Sequence, residues 1–298
     1  MIKNLCWLLV LSLVVGHAAA QMEEEGKLRV QLSTGYERQD FRWSIAGNSA
    51  GQDPNVYSEL KWRAVNGPTG RLDLKWDVCG RWRIFATGSR VFTRGGSMTD
   101  SDYGLDNRND QIYHQQFNAP GGYSEGAAAG AGYSLLVSGP FRLTPFIGYS
   151  IDAQYFPVTD PGGPYSQLNS SYSAKWLGPL VKVDASWQLA KRWQVVADAV
   201  YHQVNYHARA DWNLIPTFAH PVSFRHTADG YGIEVAAGMR YRVGRRVVMD
   251  LGAGYFNWQT GTGIDQLYLS AGGSQQTQLN GVVRAGWNAT VGGVVGLF

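Results

Sequence analysis

The chain has 298 residues, and its 26 basic and 23 acidic side chains nearly balance, which gives no signature of nucleic-acid binding. Two cysteines and six histidines are too few for a disulfide framework or a cysteine–histidine zinc cluster, and no cofactor or metal is implied. Aromatic residues and glycine are abundant, while only 16% of the residues are charged. In an exported chain, this mixture suggests β-structure that faces an apolar environment.

The first twenty residues predict a secretory signal peptide. Lys3 supplies a positive charge, residues 5–15 form an apolar stretch, and the alanines at 18–20 form a cleavage site before Gln21. The apolar stretch is too short to span a bilayer. We therefore expect residues 1–20 to be removed and residues 21–298 to form a single exported domain.

Residues 57–79 show the clearest periodicity of the chain, because apolar side chains alternate with charged ones over about twenty residues. The apolar positions are Leu60, Trp62, Ala64, Leu72, Leu74, Trp76 and Val78. The charged positions are Glu59, Lys61, Arg63, Arg71, Asp73, Lys75 and Asp77. This alternation predicts one long strand with an apolar and a charged face, and a charged face of both signs suits a lumen filled with ion pairs. The strand is longer than the ~10 residues that cross a bilayer, which suggests a barrel that projects beyond the membrane.

Similar segments follow along the chain and predict ten strands, at residues 27–46, 57–79, 82–98, 112–138, 141–157, 171–190, 193–213, 221–243, 246–261 and 276–298. Short turns at Gly80-Arg81, Gly139-Pro140, Lys191-Arg192 and Gly244-Arg245 alternate with longer polar connections at 47–56, 99–111, 158–170, 214–220 and 262–275. This layout predicts a ten-stranded antiparallel transmembrane β-barrel with short periplasmic turns and long extracellular loops. The terminal Phe298 fits the last strand of an outer-membrane barrel.

A barrel of ten strands is narrow enough for side chains to fill its lumen. A general pore is therefore the weaker interpretation, and we expect function at the rim, where the long loops leave the strands.

The segment from 58 to 103 resembles the omptins, ten-stranded outer-membrane proteases of Gram-negative bacteria. Omptins end an equivalent strand–turn–strand unit in R-G-G-N-M-x-D-x-D-W. The matching residues here are Arg94, Gly95, Gly96, Met98, Asp100, Asp102 and Tyr103, with Ser97 in place of the asparagine. The segments 148–156 and 175–183 also look like strands of the same barrel.

The resemblance implies that Asp100 and Asp102 form half of a catalytic site, the other half being an Asp-x-His on a facing strand. A water molecule between the two halves would attack the peptide carbonyl. Two neighbouring carboxylates suit this chemistry, because one of them has a raised pKa and can hold a proton. The resemblance further implies an outer-membrane monomer that contacts lipopolysaccharide and acts on a peptide or protein substrate.

The segment 201–213 should supply the second half of that site. An ungapped alignment on Tyr201 puts Asp211 at the catalytic aspartate and Asn213 at the catalytic histidine. Asparagine cannot accept a proton near neutral pH. A two-residue shift would instead align Asn205 and His207 with the pair, and His207 or His220 is then an alternative base; the other interpretation is that both are hydrogen-bonded lumen or loop histidines. The alternation predicts that Gln203, Asn205, His207, Arg209, Asp211 and Asn213 face the lumen, and that Val204, Tyr206, Ala208, Ala210 and Trp212 face outward.

Arg209 occupies the position where omptins carry an acidic residue of the substrate pocket. A cation there would repel a basic substrate, so we do not expect a dibasic protease. An alternative for Arg209 is an ion pair with Asp211 or Asp100.

Two hypotheses about function follow. The first is an omptin-like endopeptidase that uses Asp100, Asp102 and Asp211 with a non-standard base. The alternative is an inactive barrel of the same fold that serves as a surface adhesin or ligand-binding protein. A lipid A hydrolase would need a nucleophile system, and Ser97, Ser101 and His114 form no recognisable one. The acidic stretch 99–111 is loosely calcium-like but lacks the EF-hand spacing.

Overall fold

The computed structural model describes residues 28–244 and 247–297. Three predicted features lie outside the described residues: the signal peptide at residues 1–20, Arg245 of the predicted Gly244-Arg245 turn, and the terminal Phe298. Within the described part of the chain, no helix is long and apolar enough to cross a membrane.

The described chain consists of antiparallel strands and one short 3-10 turn, Asp106–Arg108. The strands are β1 (Leu28–Ile45), β2 (Ser58–Cys79), β3 (Trp82–Phe92), β4 (Gly95–Leu105), β5 (Asn109–Asn118), β6 (Tyr123–Tyr133), β7 (Leu136–Ser138), β8 (Phe141–Thr159), β9 (Asn169–Ala190), β10 (Trp193–Asp211), β11 (Phe224–Arg242), β12 (Val247–Tyr268) and β13 (Ser274–Leu297).

Ten of these strands close into a ring, which confirms the predicted barrel. β1 pairs with both β13 and β2, and the wall continues through β3, β6 and β8 to β12. The β4–β5 hairpin extends the β3–β6 part of the wall beyond the ring, where β4 pairs with the first half of β2. Two predicted loops are shorter than expected. Residues 99–111 are mostly strand with a three-residue turn, and residues 262–275 are strand except at 269–273.

Exposed aromatic side chains form two girdles around the outside of the barrel. The first lies near the short turns and comprises Trp76, Trp82, Tyr133, Trp187 and Trp193, and the second comprises Tyr36, Tyr149, Tyr201, Tyr231, Tyr255 and Trp287. Between them the outer face carries exposed apolar residues such as Ile147, Val235 and Leu251. This is the pattern of a barrel that crosses a bilayer. Beyond the second girdle, β10 continues for ten residues from Tyr201 to Asp211, roughly 33 Å of extended chain.

The strands reverse their polarity beyond the second girdle. On β10, the outward residues Trp193 and Tyr201 lie in the bilayer band, whereas His207 and Arg209 further along the same face are exposed and polar. The inward residues Val204 and Tyr206 at this level are buried. The projecting part of the barrel is therefore packed like a water-soluble domain, with apolar residues inside and polar residues outside.

Within β2, a β-bulge exchanges the inward and outward faces of the strand. The prediction of a single apolar face for residues 57–79 is therefore wrong. Leu60 and Trp62 are buried inside the barrel, but Leu72 and Trp76 are exposed on its outer surface. The break lies at Ala64, which has φ 51°, and its N–H donates to Asp40 Oδ1 at 2.6 Å. A bulge inserts one residue, and one residue exchanges the two faces of a strand.

The interior is layered along the barrel axis. Within the bilayer band the lumen holds ion pairs such as Arg71–Asp73 at 2.9 Å and Arg240–Asp250 at 2.9 Å. Towards the loop end the fill becomes aromatic, with a fully buried cluster of Phe41, Trp62, Phe156, Tyr172, Trp176, Tyr206 and Trp258. Many of these rings are in mutual contact, at centroid separations such as 5.0 Å for Trp62 and Phe156. This aromatic plug separates the charged lumen from the barrel mouth.

The wall is interrupted at one place beyond the second girdle. Among the described strands, β5 pairs with β4 alone, and residues 156–159 of β8 pair with β9 alone. The hairpin is held away from β8 by its tip, because Asn55 N–H donates to Asp106 Oδ1 at 2.7 Å and Arg108 binds Glu59 at 2.8 Å. One edge of β5 therefore faces a gap in the wall.

Candidate functional site

A cavity of about 500 Å³ lies above the aromatic plug, at the loop end of the barrel. Its wall is mainly apolar, with residues from β1, β2, β4, β5, β8, β9, β11 and β12 and from the loops that precede β2, β9 and β11. The apolar lining includes Trp43, Leu60, Met98, Phe117, Tyr165, Leu168, Trp212, Ile215 and Phe218. Three carboxylates, those of Asp100, Asp102 and Asp265, are set into this wall. A cavity of this size with few polar groups is typical of a small-molecule site.

The pair Asp100 and Asp102, called here the acid pair, lies on the inward face of β4. Because the two residues are two positions apart on a strand, their side chains share a face. β4 reaches this face through Gly96, whose φ of 120° would be strained in other residues. A Cβ at Gly96 would also lie 2.8 Å from Val65 Cα. Gly96 of the Arg94–Gly96 motif thus permits the close approach of β4 to the β2 bulge.

The surroundings of the acid pair favour its protonated form. Burial, and then the negative charge of Asp102, raise the pKa of Asp100 to about 7, against the opposing effect of a hydrogen bond from the Trp212 indole. Burial also raises the pKa of Asp102, and a hydrogen bond with Ser58 opposes that change. Near neutral pH, Asp100 can therefore hold or release a proton, which provides both a hydrogen-bond donor and an anion within an apolar cavity.

The predicted facing of residues 201–213 is reversed in the structure. Val204, Tyr206, Ala208 and Ala210 are buried inside the barrel, and Gln203, Asn205, His207 and Arg209 are exposed on its outer surface. The prediction treated the whole strand as membrane-facing, whereas this part projects beyond the bilayer band and buries its apolar face. As a result, Trp212 is the residue of this segment that contacts the acid pair.

The remaining predicted site residues lie away from the acid pair. Asp211 Oδ1 is 2.5 Å from His220 Nδ1, and neither residue lines the cavity. Asn213 is engaged with the loop before β9, where its Oδ1 accepts from Asn169 N–H at 2.8 Å. The outward positions of His207 and Arg209 separate both from the cavity. The structure thus joins Asp211 to His220 and Asp100 to Asp102, but it does not join the two pairs.

A chain of buried polar groups below the cavity was not predicted from the sequence. The Tyr172 hydroxyl lies 2.6 Å from that of Tyr206 and 2.9 Å from His226 Nδ1. His226 Nε2 in turn lies 3.1 Å from Asp265 Oδ1. His226 is fully buried and Asp265 lines the cavity. The sequence contains one indication of this chain, because Tyr206 shares its strand face with Ala208 and Ala210. That pattern identifies Tyr206 as a buried residue only when it is known which face of β10 points inward.

The other candidate residues are distributed over different surfaces. Ser101 and His114 form a hydrogen bond of 2.8 Å on the outer face of the β4–β5 hairpin. Asp106 accepts from Asn55 at the hairpin tip, away from the cavity that Asp100 and Asp102 line. Among the described residues, no group of three or more His, Cys, Asp or Glu side chains is arranged to hold a metal ion.

The closed ring, the two aromatic girdles and the filled lumen define an outer-membrane β-barrel with a cavity at its extracellular mouth. The sequence profile of the Protochlamydia outer membrane protein family, Pom, matches residues 31–292. The chain therefore belongs to this family. No curated protein sequence matches the chain.

A solved structure supports the architecture. The outer membrane protease OmpT from Escherichia coli aligns with a TM-score of 0.74 and 14% identity, covering 94% of this chain and 99% of OmpT. At this identity the likeness shows the fold alone, and membership of the omptins is not shown. OprG from Pseudomonas aeruginosa aligns with a TM-score of 0.39 and 10% identity, over 90% of this chain and 94% of OprG. That score supports no inference.

Proposed function

We propose that this barrel is a surface ligand-binding protein whose mouth cavity takes a small apolar molecule that carries a protonated amine. The observation that carries the proposal is the composition of the cavity wall, where the acid pair is set among aromatic and aliphatic side chains and contacts Trp212. An apolar body would fill the cavity, and the amine would form charge-assisted hydrogen bonds with Asp100 and Asp102.

The arrangement of β10 argues against the omptin mechanism as the main function. That mechanism needs a histidine and its aspartate to share a water molecule with the acid pair. Here the inward residues at this level are Ala208 and Ala210 of β10 and Trp212 directly after it, none of which can act as a base. The Asp211–His220 pair is not part of the cavity lining, so it is not positioned to share a water molecule with the acid pair.

Calorimetric titration of the refolded barrel in detergent with lipopolysaccharide tests the proposal. Phenethylamine is the probe, and 2-phenylethanol is its neutral match of similar shape. We expect phenethylamine to bind at least about ten-fold more tightly at pH 8, equivalent to ~1.4 kcal/mol. The double variant D100N/D102N should lose this preference, whereas D110N, which alters an exposed acid of the hairpin, should keep it. Equal affinity for amine and alcohol in the wild-type protein would refute the proposal.

Peptide hydrolysis by the acid pair alone is a second candidate, favoured by the raised pKa of Asp100 beside Asp102. Two carboxylates that share one proton can activate water without a histidine. Incubation with a diverse peptide library measures this activity. Cleavage that disappears in both D100N and D102N but persists in H220A would support it. Absence of cleavage by a correctly folded barrel, judged by heat-modifiable gel mobility, would exclude it.

A further inference from the structure

The exposed edge of β5 carries backbone groups that are free of strand partners. β5 pairs with β4 on one side, and the described strands provide no partner on the other. Its ten residues contain no proline, the residue that most directly blocks pairing at a sheet edge. The facing edge of β8 differs, because Pro157 lies there and packs against the Gly121–Gly122 segment.

The ladder between β4 and β5 identifies which backbone groups are free. Ala119 N–H donates to Gly96 O at 3.1 Å, and these two residues are in register with the Ser97–Asn118 pair. In an antiparallel ladder, bonded and non-bonded pairs alternate. The N–H and C=O groups of Tyr113, Gln115 and Phe117 therefore point to β4. Those of His114, Gln116 and Asn118 point into the gap.

The free edge cannot close on β8 by a simple swing of the hairpin. Its tip is held on the opposite side by Asn55, which bonds with both Asp106 and Asn107. The bidentate ion pair of Arg108 with Glu59 adds to this attachment. The gap is thus a fixed feature of the wall rather than a hinge position.

The inward side of this edge leads directly to the mouth cavity. Tyr113 and Phe117 line the cavity from β5, and Tyr165 and Leu168 line it from the loop across the gap. Phe117 and Tyr165 are in edge-to-face contact, with centroids 6.1 Å apart. A strand added to β5 would place alternate side chains over these apolar residues. Acidic side chains at the same positions would face the acid pair and be repelled.

From this geometry we propose that β5 binds an extended polypeptide segment as an added strand, with aromatic or aliphatic side chains at the inward positions. The added strand bonds with the backbone of His114, Gln116 and Asn118, and its inward side chains close the gap against Phe117 and Tyr165. Backbone pairing supplies affinity and the alternate side chains supply specificity, as in other cases of strand addition. This site adjoins the amine site, but the residues whose backbone would bind the added strand, His114, Gln116 and Asn118, do not line the cavity that holds the acid pair.

Residue-resolved amide hydrogen exchange of the refolded barrel tests this proposal. The probe is the peptide acetyl-Thr-Phe-Thr-Phe-Thr-amide, compared with acetyl-Thr-Asp-Thr-Asp-Thr-amide. In the free barrel, the amides of His114, Gln116 and Asn118 should exchange much faster than those of Tyr113, Gln115 and Phe117. The phenylalanine peptide should slow exchange of the first set by at least about ten-fold at saturation, whereas the aspartate peptide should have no effect.

Two variants of one residue provide the matched control. Q116P removes an N–H that points into the gap and leaves the ladder to β4 intact, so it should abolish peptide protection at His114 and Asn118. Q116A keeps that N–H and should retain the protection. Both variants should bind phenethylamine as the wild-type barrel does, which separates this test from that of the amine site.

Three results would overturn the proposal. The first is slow exchange of His114, Gln116 and Asn118 in the free barrel, because the edge would then already be covered. The second is the absence of added protection at saturating phenylalanine peptide. The third is equal protection in Q116P and Q116A. A change of oligomeric state with protein concentration, together with slow exchange, would identify a second copy of the chain as the occupant instead.

Discussion

Asp100 is held in surroundings that disfavour its charge, and its protonation therefore bears on the stability of the barrel. Because its pKa in the folded protein, about 7, exceeds the ordinary value of ~3.9, the folded state binds its proton more tightly than the unfolded state does. The stabilisation from this proton is complete below about pH 4 and is lost as the pH rises through about 7.

The variant D100N should remove this pH dependence. A difference of this size in pKa corresponds to at most ~4 kcal/mol, and water in the open cavity screens the charge, so we expect about half of that. The free energy of unfolding, measured with guanidinium in detergent, should be similar for both proteins at pH 4. At pH 8.5, D100N should be the more stable by ~2 kcal/mol. Parallel pH profiles for the two proteins would contradict the assigned role of burial.

Trp212 should control the titration of Asp100 through its indole N–H. This donor stabilises the carboxylate and opposes the increase in pKa, so W212F should raise the pKa of Asp100 further. The pH range over which stability is lost should then extend upward by roughly half a unit to one unit. W287F, which alters an exposed residue of the second girdle, should leave the range unchanged. The measurement is the same unfolding series between pH 4 and 9.

At the residue scale, the sequence identified the acid pair but not what surrounds it. Asp100 and Asp102 were found because they belong to one contiguous motif on one strand. Trp212, His226 and Asp265 come from β10, β11, β12 and their connections, so their proximity depends on the closure and register of the barrel. A local pattern carries no information about that register.

At the scale of the single strand, the bulge in β2 and the glycine in β4 act as a matched unit. Ala64 adopts φ 51° and Gly96 adopts φ 120°, and Gly96 packs against the backbone of Val65. Together they direct Leu60, Trp62 and the acid pair into the barrel. Nearer the short turns, the even-numbered residues of β2 face outward instead. The local geometry at this point therefore determines the lining of the cavity.

Opposite effects of two alanine–glycine exchanges test this interpretation. G96A should destabilise the barrel by ~2 kcal/mol or more, because it combines positive φ with a Cβ contact of 2.8 Å to Val65. A64G should stabilise it by up to ~1 kcal/mol, because glycine tolerates positive φ. G88A, where a Cβ would meet nothing closer than 4.0 Å, should change stability by less than ~0.5 kcal/mol. Chemical unfolding of the three variants distinguishes these outcomes.

The strands themselves were largely predictable, but their facing was not. Long alternating segments and short turns predicted ten strands, and the ring confirms them. The facing failed in β2 because a bulge of one residue leaves no clear mark in the pattern. In β10 it failed because the solvent outside the strand changes from lipid to water beyond Tyr201. Beyond that point, the apolar residues of the same alternating pattern face into the barrel rather than outward.

At the scale of the whole molecule, the aromatic plug determines whether ions can pass through the barrel. Trp62, Trp176 and Trp258 are each fully buried, and rings from opposite walls are in contact across the lumen, as Phe41 and Phe156 are at 5.1 Å. Rings in contact across the lumen of the described barrel occupy the space through which hydrated ions would pass. The charged lumen within the bilayer band is thus closed towards the mouth.

We therefore expect no steady ion conductance from the wild-type barrel in planar lipid bilayers. The triple variant F41A/W62A/F156A should weaken the plug and produce open-channel steps, provided that heat-modifiable gel mobility shows it to be folded. The variant Y149A, which alters an exposed residue of the outer surface, provides the control and should not conduct. Large, steady conductance from the wild-type protein would contradict the expected closure.

The bulge at Ala64 also has an evolutionary consequence. Because one added residue exchanges the inward and outward faces of everything beyond it, a change in length can replace the lining of the mouth in one step. A single-residue insertion in β10 before Asp211 would bring Asp211 and Asn213 inward and move Trp212 out. Members of a barrel family can therefore differ in surface chemistry through insertions and deletions while their ring and girdles stay the same.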